Sequence, residues 1–413
     1  MHHETNPPRP AAHRPSTAEF VGMMATLFAI MALSIDALLP ALPAIRAEFS
    51  PDDSNRVQLV VTSFVLGMGA GTLVSGPLSD SLGRKPVIVA GGLLYMLASL
   101  AGWRAGSLEA LLLARFFQGL GASGPRVVGL AMVRDLHGGR EMARIMSFVM
   151  TVFVLVPALA PLLGAAVMAL AGWRAIFFLF VIFALFATSW VTLRQPETLP
   201  PDRRRPFRPG PILAAMREVL TTPASLLAIV AATMVFGMLF SVISTAQQVI
   251  GEAFAKGAAF PLWFAVLALG AGTSGLANSR LVMRHGMRKV ATAALTTQWG
   301  ISLVALAAFF FGGDALPFAF PLYMVWALSV FFMVGLAGGN LNALALEPLG
   351  HVAGTASTVV SALSTGLSVL IAIPTGLAYD GTPLPIMASA TVACTFALAA
   401  MLALRRGERL NAA

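Results

Sequence analysis

Twelve apolar runs, each long enough to cross a lipid bilayer as a helix, follow one another with short polar breaks, and few folds accommodate that pattern. A helix rises 1.5 Å per residue, so roughly 20 apolar residues span the hydrocarbon layer. Lipid offers no partner to a backbone N–H or C=O, which makes such runs helical. They lie near 20–44, 56–78, 87–103, 109–133, 142–170, 175–194, 222–249, 259–282, 290–312, 317–342, 352–378 and 384–404. With 57% hydrophobic and 11% charged residues, the chain is too apolar for a soluble domain, where about a quarter of residues are charged.

The sequence therefore predicts an all-α membrane protein with 12 transmembrane helices. Residues 1–18 read as a disordered tail, 19–194 as a six-helix bundle, 195–221 as a basic linker, 222–405 as a second six-helix bundle and 406–413 as a short tail. His2 and His3 lack a third metal ligand nearby. The linker carries six prolines around Arg203, Arg204 and Arg205, and its residues 212–220 suit a short helix lying on the membrane surface.

The formal charge of +9 does not point to nucleic acid, because the basic residues sort by side of the membrane. With the N-terminus inside, 20 of the 27 Arg and Lys fall in cytoplasmic segments, and only Arg46, Arg56, Arg104, Arg174 and Lys256 fall outside. That asymmetry places both termini in the cytoplasm. Cys394, the one cysteine, excludes an internal disulfide. The first apolar run is too long for a cleaved signal and reads as an ordinary span.

Asp36 is the one carboxylate placed deep in a span. A charge there costs about 2.5–3.5 kcal/mol on insertion scales, so it should face a cavity or a partner. Pro40 and Pro43 follow and permit the helix to bend beside it. Helical rise puts Asp36 roughly 24 Å and Arg115 of span four roughly 28 Å from the cytoplasmic end, so the two should meet. Such a pair is either a proton-coupling device or a static buried ion pair. Arg126 stands eleven residues beyond Arg115, within about 20° of the same helical face. With Gln118 and Ala122 the arginines form a stripe expected to line a central cavity. Arg126 either attracts an anionic or carbonyl-bearing compound or bonds to carbonyls at the kink that Pro125 imposes. In the second half the polar candidates are Asn278 and Asn340; Asn342 is 200° from Asn340, so only one of the two faces a cavity. Ser357, Ser361, Ser364 and Ser368 share one face of span eleven.

Between spans two and three, residues 76–86 read Gly-Pro-Leu-Ser-Asp-Ser-Leu-Gly-Arg-Lys-Pro. Gly83 allows a turn, Arg84 and Lys85 hold the loop in water, and Pro86 suits the first turn of the next helix. This loop, through Gly76, Asp80, Gly83, Arg84 and Lys85, resembles the signature loop of the major facilitator superfamily. The run from Arg115 through Gln118 to Gly119 is similar to a second signature of its drug/proton antiporters. Span five, with Pro157, Ala160, Pro161 and Gly164, departs from the antiporter pattern and resembles the bicyclomycin-resistance branch. The stretch 281–289 weakly repeats the first loop, with Gly286 in the place of Gly83 but no matching acid.

The resemblance implies two pseudo-symmetric six-helix bundles with substrate bound between them, and a monomer in a bacterial inner membrane. It implies that Asp36 and Arg115 couple protons, and that Asp80, Arg84 and Asp135 form a charge relay at the cytoplasmic gate with Gly76 and Gly83. The implied activity is proton-coupled export of drugs or other small amphipathic compounds, served by some of the 20 Met and 27 Phe. A dedicated carrier of one metabolite, with Arg126 pointing to an anion, is the alternative. No nucleotide-binding loop, zinc motif or paired-cysteine motif is present, so the sequence points to no cofactor, to no enzyme, and to an ion gradient as the energy source.

Overall fold

The structure, a computed structural model, describes residues 15–313 and 316–412. The expected tail as far as residue 14, with His2 and His3, lies outside them. The helices are α1 (Thr17–Asp36), α2 (Leu42–Phe49), α3 (Leu59–Leu82), α4 (Arg84–Trp103), α5 (Leu108–Leu136), α6 (Gly139–Ala171), α7 (Ala175–Arg194), α8 (Pro209–Thr221), α9 (Pro223–Gln248), α10 (Phe260–His285), α11 (Met287–Gly312), α12 (Ala319–Leu346), α13 (Ala353–Leu367), α14 (Val369–Leu377) and α15 (Leu384–Ala412). Among the described residues there is no strand.

Among the described residues, ten helical segments are long and apolar enough to cross a membrane. One of them, Ala319–Leu377, runs for 59 residues and holds both expected spans ten and eleven. Helix α5 is not among the ten, because Arg115, Gln118, Arg126 and its many small residues lower its hydropathy. Enclosure compensates for that: α1, α3 and α4 pack around it, and its polar face never meets lipid. All twelve expected spans are thus helical. The last helix continues to Ala412, past the residue at which the sequence placed the start of a tail.

Span one is broken. Helix α1 stops at Asp36, a short turn of 3-10 helix covers Leu39–Ala41, and α2 resumes at Leu42. Pro40 has no N–H to continue the ladder, and Pro43 falls where a new helix can begin. Gly83, at φ +104°, and Gly286, at φ +81°, make the two corresponding turns between α3 and α4 and between α10 and α11, in a backbone region that a Cβ disfavours.

The first seven helices and the last seven form two bundles joined by the linker. Across the boundary, α3 packs on α13 and α6 on α10. One close backbone crossing joins Gly69 to Gly366, where a Cβ on Gly69 would stand 2.5 Å from Gly366 Cα. At the end remote from the termini the halves are tied together. Arg46 pairs with Glu252, Asn55 Nδ2 donates to the carbonyls of Leu377 (3.0 Å) and Tyr379 (2.7 Å), and Gln248 Nε2 reaches Ser54 O at 3.3 Å. Helix α8 in the linker packs on α13 and α9, and Glu218 on it meets His351 Nε2 at 2.9 Å.

Candidate functional site

Between the halves lies a cavity of about 310 Å³. Its first-half wall includes Asp36, Met68, Arg126 and Pro157. The second half contributes Phe236, Phe240, Phe264 and Phe331, with Asn342 and Ser361 among its few polar groups. A second space of about 280 Å³ shares Met31, Arg126, Phe153 and Ser361 with the first and continues to Arg134 and Ser357, toward the termini. The passage is therefore sealed at one end and extends toward the other.

Asp36 closes α1 and looks into this space from the break, only 4% exposed. Its carboxylate has no hydrogen bond or ion pair to another described residue. The break itself is held by neighbours. Gly164 of α6 sits against the Ala37 carbonyl, with no room for a Cβ. Arg115, wholly buried, donates from Nη2 to Ser34 O at 3.0 Å and from Nε to Val60 O at 3.1 Å, and also bonds the Gln118 side-chain oxygen. Its guanidinium lies 4.5 Å from the centre of the Phe64 ring. Ser34 O is a carbonyl that an unbroken α1 would satisfy through Leu38 N–H, so the arginine caps a helix end. Gln118 Nε2 passes the network to Ser99 Oγ at 2.7 Å, and Ser34 Oγ meets Tyr95 OH at 2.5 Å. Buried donors are thereby satisfied without any contact to Asp36.

At the termini end, Arg84 joins two acids. Its Nη1 donates to Asp80 Oδ1 at 2.6 Å, while Nε and Nη2 donate to the two oxygens of Asp135 at 2.8 and 3.3 Å. Glu197, from the linker, accepts the backbone N–H groups of Arg84 (2.9 Å) and Lys85 (3.0 Å), a carboxylate on the positive end of α4. Thr198 Oγ1 donates to Asp135 at 2.9 Å, and Arg205 N to the carbonyl of Asp80 at 2.9 Å. Gly76 is the point at which α3 meets Thr358 of α13, whose Oγ1 would lie 3.0 Å from a Cβ there.

The family model described as Major Facilitator Superfamily matches residues 24–374. The chain belongs to that superfamily. It is 29% identical over 357 residues to a bicyclomycin resistance protein homolog of Haemophilus influenzae, covering 84% of this chain and 86% of that protein. It is 38% identical over 187 residues to a chloramphenicol resistance protein of Pseudomonas aeruginosa, covering 45% and 44% of the two. Among solved structures, the human organic anion transporter MFSD10 superimposes with a TM-score of 0.67 at 18% identity, covering 95% of this chain and all of that one. The xylose transporter XylE from E. coli does so with a TM-score of 0.70 at 11% identity, covering 94% and 96%. The protein is thus a transporter with the superfamily's all-α membrane fold and drug-resistance relatives, and not an enzyme.

In this superfamily member the expected site residues divide into two groups. Asp36 and Arg126 both line the cavity, whereas Arg115, Gln118 and Ala122 are enclosed within the first bundle. Arg115 and Asp36 form no ion pair: the helix break that exposes the acid also frees a carbonyl, and the guanidinium takes the carbonyl. Arg115 and Arg126 do share a helical face, but near Arg115 the halves are already sealed by Asn55 and its neighbours, so the cavity never reaches it. Asn342 takes the cavity position expected for Asn340. Asn340 Nδ2 instead donates to Asn278 Oδ1 at 2.9 Å and to Leu336 O at 2.7 Å, which keeps both residues in packing within the second half. The expected charge cluster of Asp80, Arg84 and Asp135 assembles, within the first half and the linker. Sequence reasoning missed Glu197, whose one signal is an acid in a linker that must return past a helix N-terminus.

Proposed function

We propose that this transporter exports drugs or other small amphipathic compounds by proton antiport, with its two halves alternating access to the cavity between them. The observation that carries the reading is Asp36: a buried carboxylate on the cavity wall with no counter-ion among the described residues. An ionisable side chain inside a span marks a proton or substrate pathway, and the cavity gives this one a route for its proton. Substrate entering from the cytoplasm would release the Asp36 proton to the cytoplasm, and after the halves rock, protonation of Asp36 from the outer face would release the substrate outward. The phenylalanines and methionines of the wall suit ligands of many shapes, in keeping with relatives named for resistance to bicyclomycin and chloramphenicol. In this scheme both termini are cytoplasmic, as the Arg and Lys distribution supports, and the protein works as a monomer in a bacterial inner membrane.

The test is proton flux in liposomes on addition of neutral, cationic and anionic compounds, with Asp36→Asn alongside. Loss of pH-driven transport with binding retained is expected, and unchanged uphill transport by the variant would overturn the reading. Arg126 favours a second one. A cavity-facing guanidinium with no acidic partner among the described residues suits a dedicated carrier of one anionic metabolite. Flux triggered by a single anion, and lost in Arg126→Ala, would select it.

A further inference from the structure

Two grooves adjoin on the outside of the second bundle, away from the central cavity. One, of about 690 Å³, lies between α10, α11 and α12 and is walled by Ile301, Val325, Leu328, Phe332 and Leu336. The other, of about 820 Å³, opens beside it between α11, the end of α12 and α15, against Leu344, Met401 and Leu402. They share His285, Lys289, Ala293 and Thr297 as a common rim. Lys289 and His285 stand at the termini end of this rim, and Arg405 joins them on the second groove; Arg288 and Glu347 also border it. Lys289 and Arg405 are exposed and form no ion pair among the described residues.

We propose that this pair of grooves binds one acidic phospholipid of the leaflet on the termini side, its acyl chains in the grooves and its phosphate on Lys289, His285 and Arg405. The dimensions support a lipid over a soluble anion or a transported compound. From Lys289 to Ile301 the first groove follows α11 for roughly 18 Å. Half of the hydrocarbon core is about 15 Å. The cations therefore stand at headgroup depth while the apolar wall ends near the bilayer midplane. A soluble ligand has no reason to match one leaflet. The charge favours an acidic headgroup, since Lys289 and Arg405 outnumber Glu347, and basic pockets between helices at this interface bind acidic headgroups. Two grooves on one rim suit two chains below one phosphate.

The experiment is native mass spectrometry of the full-length protein equilibrated with equal phosphatidylglycerol and phosphatidylcholine, for the wild type, Lys289→Gln/Arg405→Gln, Ala293→Trp and Arg140→Gln. Arg140 is an exposed cation on the first half and serves as the charge control. The wild type should retain phosphatidylglycerol preferentially, and the double variant should lose about tenfold or more of that preference. Ala293→Trp, which fills the shared rim, should lower retention of both lipids, and Arg140→Gln should change nothing. Equal retention of the two lipids by the wild type, or an equal loss in Arg140→Gln, would overturn the proposal. Displacement of the lipid by inorganic phosphate at millimolar concentration would show that the grooves contribute nothing and would overturn it too.

Discussion

Arg115 and Arg126 occupy one face of one helix and meet opposite surroundings. Arg115 spends its planar fork on the carbonyls of Ser34 and Val60 and its face on Phe64. Lysine offers a charge but neither the fork nor the stacking surface. Arg115→Lys should therefore lower thermal stability in detergent and reduce proton-driven transport about tenfold or more, although the residue does not line the cavity; each charged hydrogen bond lost is worth about 1.5–3 kcal/mol. Arg126→Lys should keep its melting temperature, and a changed preference between anionic and neutral compounds is the measurement that checks its place in the cavity. At this scale the sequence was informative about depth and helical face. It was silent about how far the cavity extends, and that decided which arginine reached it. The same limit explains Asn340 and Asn342: their 200° separation required a choice, and only the packing of Asn278 against Asn340 made it.

The break in α1 is the element on which the site depends. Proline made it visible in the sequence, because residues without an N–H cannot extend the ladder through positions 40 and 43. What holds it was not visible, since a glycine of α6 and an arginine of α5 come from distant parts of the chain. Gly164→Val would push α6 away from the Ala37 carbonyl, at a cost of about 1–3 kcal/mol for overpacking. Reduced transport with Asp36 still in place is the expected result, read alongside the melting temperature. At the sealed end, Arg46 and Glu252 are partly exposed, so their pair contributes only about 0–1 kcal/mol. Glu252→Arg should shift the populations of sealed and unsealed forms by about fivefold at most, and Arg46→Glu in the same chain should restore them. Cysteine labelling from the sealed face would read both. The linker was legible only by composition. Its capping of α4 through Glu197 depends on where the chain returns, and no periodicity records that.

For the whole molecule, the alternation of apolar runs and polar breaks foretold that every span is helical, and the weak repeat from Gly83 to Gly286 foretold two bundles. Both features survive because lipid imposes them on every span separately. The contact between bundles is a tertiary matter, with α3 on α13 and α6 on α10 enclosing a wall of phenylalanines, and no local rule encodes it. Transport of several unrelated compounds, each displacing the others, is the expected behaviour of such a wall, and competition in proteoliposomes checks it. The crossing of Gly69 with Gly366 bears on how such a molecule moves. It acts as a fulcrum about 15 Å from one end of α3 and about 20 Å from the other. When the bundles rock about it as rigid arms, parting at one end requires convergence at the other. Protection against a channel open at both ends then rests on leverage in the scaffold, and neither gate needs to be strong.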